Sequence, residues 1–131
     1  MSSTKASRFP LVAASLFGAA AVALGAFGAH ALRDVFDEKA LATWHTAVDY
    51  QLWHVLALLA VGVLERTRSS RASWIAAIAF VVGIVLFCGS LYALALGAPR
   101  IVGVSTPFGG IAFIAGWLAL AVHTARDAAT Q

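Results

Sequence analysis

Apolar residues in this chain fall into four long runs, at about residues 9–32, 45–64, 73–97 and 107–124, separated by short polar connections. Each run exceeds the roughly 17 residues needed to cross about 30 Å of hydrocarbon at about 1.5 Å per residue. Lipid offers the backbone no hydrogen-bond partner, so runs of this length predict helices, and the shorter alternating segments of a membrane barrel do not occur. The predicted fold is all-α: an integral membrane four-helix bundle forming one domain over 9–124, with polar tails at 1–8 and 125–131.

The connections sharpen these elements. In "RDVFDEKALATW" (33–44), Asp37 can cap a helix that starts before the membrane, with Glu38 facing the dipole and Trp44 at headgroup depth. "ERTRSSRAS" (65–73) is short and basic. "GAPRIVGVSTP" (97–107) reads as a loop in which Thr106 and Pro107 supply the N-cap and first residue of the fourth helix. Small residues recur at helical spacing: Ala14, Gly18, Ala21, Gly25 and Gly28; then Gly89, Ala93 and Gly97; then Gly109, Ala112, Gly116 and Ala119. Such faces predict close helix contacts. Lys5, Arg8 and the "AHA" at 29–31 imitate a cleavable secretory signal, but the length and small-residue face of this run predict a retained helix.

Composition agrees. The 131 residues are 61% hydrophobic and 11% charged, against about 25% charged in soluble domains. The net charge of +3 does not indicate nucleic acid, because the cations sit between apolar runs rather than on one face. Lys5, Arg8, Arg66, Arg68, Arg71 and Arg126 fall on one side of the membrane, and Arg33, Lys39 and Arg100 on the other. That bias predicts both termini in the cytoplasm of a multi-pass membrane protein. The single cysteine, Cys88, excludes an internal disulfide and reads as a small buried thiol.

On this topology the polar side chains within the runs gather toward the outer half of the bundle: His30, Tyr50, Gln51, His54, Ser90, Tyr92 and Thr106. Tyr50 and Gln51 precede His54 by four and three residues and form one stripe with it, while His45 and Asp49 fall on another face. Three readings stay open for these residues. They can hydrogen-bond between helices, line a pocket for a small ligand, a lipid or quinone headgroup or a proton, or ligate a metal or haem. His30 lies well above His54, and no HExxH or CxxC spacing occurs, so neither a metal site nor a cofactor is predicted. No nucleophile elbow, phosphate loop or paired carboxylate occurs either, and no catalytic residue is assigned. His123 reads as a complement to the dipole of the last helix or as a group at the membrane interface.

Four ordered motifs, "ALGAFGAHAL" (23–32), "TAVDYQLWHVLALL" (46–59), "GSLYALAL" (89–96) and "TPFGGIAFIAGWLALA" (106–121), resemble the small inner-membrane family of the YgdD and YwdK type. That family has a small human transmembrane counterpart and is catalogued as a domain of unknown function. The resemblance implies a four-helix membrane protein and no established activity. It extends to Gly25, Gly28, His30, Tyr50, Gln51, His54, Gly89, Ser90, Tyr92, Thr106, Pro107, Gly109, Gly110, Gly116 and Trp117. Asp49 departs from the pattern, which admits Arg or Glu there, and His45 lies outside it. The expected partners are the lipid bilayer and either further copies of the chain or a larger membrane complex. In that last case the protein is an accessory subunit whose polar residues serve helix packing alone.

Overall fold

The structure is a computed structural model and describes residues 8–129. Four helices carry the chain: α1 (Phe9–His30), α2 (Glu38–Thr67), α3 (Arg71–Ala95) and α4 (Ser105–Ala128), the last entered through a 3-10 turn, Arg100–Val104. All four are long and apolar enough to cross a membrane, and no strand occurs among the described residues. The helices run up and down, with α2 packed between α1 and α3, and α4 lying against α3. One end of the bundle, the loop end, gathers the close of α1, the start of α2, the close of α3 and the start of α4. The other is the terminal end, where α2 turns into α3.

Local chemistry explains most boundaries. Asp37 caps α2 as its position predicts, with Oδ1 accepting from the Ala40 N–H at 2.7 Å. α2 therefore begins at Glu38, ahead of the apolar run at 45–64. Ser70 and Ser73 form a reciprocal capping box at the start of α3. α3 ends where Gly97 takes φ of 92°, a conformation that a side chain disfavours, which lets Gly97 N–H reach Leu94 O and Ala98 N–H reach Ala93 O.

One predicted boundary is corrected. Thr106 does not cap α4: the helix starts at Ser105, its cap position is Val104 with no side-chain bond, and Pro107 is its third residue. The preceding 3-10 turn already directs the chain into the helix, which frees the Thr106 hydroxyl to bond elsewhere. Trp44 sits near the start of α2. Its indole is buried between helices, fitting over Gly28 with its N–H donating to Leu24 O at 2.9 Å, so it does not face outward as a lipid-facing anchor would.

The small-residue faces fare differently. On α1, Ala14, Ala21 and Gly28 are buried, and Gly18 and Gly25 lie against Val55 and Val48 of α2. A Cβ at Gly28 would come within 2.6 Å of the Trp44 ring. On α4, Gly109 lies against the backbone of Phe87, and Gly116 against the Phe80 ring. Gly89, Ala93 and Gly97 do not form a packed face: a Cβ at Gly89 or Gly97 meets nothing within 4 Å. The reason is a π turn, Ile84–Cys88, inside α3. One extra residue in a turn rotates everything after it by about 100°, so the glycine that packs is Gly83, before the turn, under the Phe113 ring.

Candidate functional site

Apolar contact does not favour one helix over lipid, so close packing and hydrogen bonds must hold this bundle together. The small face of α1 brings its backbone near enough for α2 side chains to reach its carbonyls. Gln51 Nε2 donates to Phe17 O at 2.8 Å, and Trp44 Nε1 donates to Leu24 O. The two donors are seven residues apart on α2 and the two acceptors seven apart on α1, two turns in opposite directions, as antiparallel neighbours require. Gln51 then binds a third helix, because its Oε1 accepts from the Tyr92 hydroxyl at 2.7 Å. The Trp44 ring meets the Tyr92 ring edge-on at 4.8 Å and closes this unit.

His54 faces the other way, toward α4. Its Nδ1 lies 2.7 Å from Tyr50 O and its Nε2 lies 3.2 Å from Nε1 of Trp117. A carbonyl only accepts and an indole N–H only donates, so the imidazole carries its hydrogen on Nδ1 and presents a bare Nε2 to Trp117. The ring stacks on Phe113 with centroids 3.5 Å apart and planes 11° from parallel. Both nitrogens and one face are thus committed to protein, and only 5% of the residue is exposed. A third unit joins α3 to α4. Ser90 Oγ donates to Phe87 O at 2.9 Å, so the 2.6 Å contact with Thr106 Oγ1 makes threonine the donor to serine.

The seven predicted site residues therefore divide. Gln51 with Tyr92, His54 with the backbone and ring of Tyr50, and Ser90 with Thr106 form three bonded units. His30 is exposed at the end of α1 and belongs to none of them. The single stripe of Tyr50, Gln51 and His54 splits, because Gln51 turns to α1 and α3 while His54 turns to α4. His45 and Asp49 are exposed on the outside of α2. Phe113 was not singled out in the sequence, and Trp117 was matched only as part of the family pattern and not as a partner of His54, because aromatic residues in an apolar run look like ordinary lipid-facing or core positions.

A second polar cluster, unforeseen as a unit, sits at the terminal end. Ser73 Oγ lies 2.9 Å from Glu65 Oε1, and Ser70 Oγ lies 2.7 Å from His123 Nδ1. The two hydroxyls are 3.5 Å apart, so one chain of contacts links carboxylate to imidazole across α2, α3 and α4. Glu65 is 3% exposed, and among the described residues its buried Oε2 has no hydrogen-bond partner. The usable signal was the basic turn "ERTRSSRAS", which folds its polar residues back over the end of α4. His123 is buried there rather than serving the helix dipole alone. Among the described residues no three His, Cys, Asp or Glu side chains come together.

The loop end holds a cleft of about 790 Å³ between the start of α2, the close of α3 and the 3-10 turn. Asp37, Lys39 and Arg100 stand around it and Leu91, Leu94 and Ala95 are among its walls, whereas none of the seven predicted site residues lines it.

Four helices long and apolar enough to cross a membrane, joined by hydrogen bonds between buried polar side chains, define a small multi-pass membrane protein. The chain belongs to the family described as protein of unknown function DUF423, whose profile matches residues 24–110. It is similar to a UPF0382 membrane protein of Staphylococcus saprophyticus, with 48% identity over 79% of this chain and 86% of that one. A UPF0382 membrane protein of Haemophilus influenzae is 41% identical over 85% of this chain and 89% of its own length. The UPF0382 inner membrane protein YgdD of Escherichia coli is 40% identical over 92% of each chain. No solved structure matches. The family resemblance and the inner-membrane location read from the four motifs are thereby established.

Proposed function

We propose that this protein is a non-catalytic accessory component of a larger membrane assembly, and that its interior polar residues serve to hold the bundle in one register. The observation that carries the reading is the commitment of those groups to one another. Gln51, His54, Ser90, Tyr92 and Thr106 each bond another protein group, and three of these bonds join side chains of different helices. A group engaged in this way must break a bond before it can take a ligand or a proton. What remains for function is the outer surface of the bundle.

Purification from native membranes in mild detergent tests this. A defined membrane partner should co-purify in fixed stoichiometry, and Tyr92→Phe should lower the melting temperature while leaving that partner bound. A lone, monodisperse bundle, or a Tyr92→Phe variant of unchanged stability, counts against the reading.

A further inference from the structure

The loop-end cleft has a composition that neither the interior bonding nor the accessory role accounts for. Lys39 and Arg100 stand at its rim, exposed, and among the described residues neither makes an ion pair. Asp37 shares the rim, but its Oδ1 is occupied by the Ala40 N–H. Two cations and one carboxylate leave the rim with one net positive charge. The rest of the lining is mostly apolar, with Leu91, Leu94 and Ala95 on α3 and Val104 in the 3-10 turn beside Ala40 and Thr43 of α2. From Gly97 at the rim to Leu91 is six residues, about 9 Å along the end of a helix long and apolar enough to cross a membrane.

We infer that this cleft binds the headgroup of an anionic phospholipid, its phosphodiester held between Lys39 and Arg100 and the start of an acyl chain laid along Leu91 and Leu94. The charge of a single phosphodiester matches the net charge of the rim. Guanidinium offers paired N–H donors to phosphate oxygens, and the lysine ammonium adds a point charge beside it. A free phosphate would meet the cations but leave the apolar wall empty. A zwitterionic lipid would cover the wall but bring a cation of its own to a rim that is already positive.

The test is a titration of the purified full-length protein in detergent with short-chain phosphatidylglycerol, phosphatidylcholine and inorganic phosphate, read by melting temperature and by tryptophan fluorescence. Phosphatidylglycerol should bind more tightly than either of the others. Its affinity should fall about fivefold in Lys39→Gln or Arg100→Gln and about thirtyfold in the double variant, at about 1 kcal/mol per cation. Arg66→Gln with Arg71→Gln removes equal charge at the terminal end and should leave affinity within about twofold. Leu94→Trp, which fills the wall without changing charge, should weaken phosphatidylglycerol as well, and it decides the matter if the double charge variant fails to fold. Equal binding of both lipids, phosphate binding as well as phosphatidylglycerol, an equal loss in the terminal-end control, or full affinity in Leu94→Trp would each overturn the assignment.

Discussion

The middle of the bundle and its terminal end treat buried polar groups by different rules. Around His54 and Gln51 donors meet acceptors: amide to carbonyl, phenol to amide, indole to imidazole. Around Glu65 the match is incomplete: among the described residues one buried carboxylate oxygen has no partner. The difference follows position along α2. His54 and Gln51 lie well inside α2, where an unmet polar group faces hydrocarbon and costs several kcal/mol. Glu65 lies two residues from the end of α2, beside the polar turn into α3. Position along the spanning helix, more than burial in the protein, separates the matched side chains from the unmatched one.

Substitutions can break or sharpen this contrast. The largest effect is expected from His54→Ala, which removes the stack on Phe113 and strands the Trp117 N–H. It should destabilise the bundle by about 3 kcal/mol in reversible unfolding from detergent. Gly109→Ala comes next, since a Cβ there meets the Phe87 backbone rather than a side chain that can swing aside. A loss of about 2 kcal/mol is expected, and Gly89→Ala, where a Cβ meets nothing, should cost no stability by the same measurement. Tyr92→Phe deletes a single bond between helices and should cost about 0.6 kcal/mol, the average for such bonds in membranes. Glu65→Gln closes the series. It keeps an oxygen for Ser73 and puts an amide where the unmatched oxygen was, so its melting temperature should stay close to the parent's, within about 0.5 kcal/mol in stability. If Glu65→Gln proved as costly as His54→Ala, the contrast between the two regions would fail.

The four spans were legible because lipid leaves so few ways to satisfy a backbone, and the Asp37 cap and the packed face of α1 followed from spacing alone. What spacing could not show was rotation. Periodicity assumes an unbroken 3.6-residue turn, and the π turn at Ile84–Cys88 moved Gly89 and Gly97 away from the contact and left Gly83 to make it. Nor could spacing pair residues distant in sequence. Gln51 and Tyr92, or Ser70 and His123, meet only because α2, α3 and α4 fold back on one another. The polar residues of the candidate site were identifiable as unusual in an apolar run, but whether they face a ligand or each other depends on those contacts. The cleft was invisible for the opposite reason: its cations lie in connections and looked like topology signals.

The central claim is that the polar interior is committed to itself, and the state of one ring tests it most directly. Side-chain nitrogen NMR of His54 in lipid nanodiscs should show hydrogen on Nδ1 and a bare, hydrogen-bonded Nε2, with cross-peaks to the Trp117 indole N–H that disappear in Trp117→Phe. An imidazole with its hydrogen on Nε2, or one whose signals are indifferent to Trp117, would contradict the account.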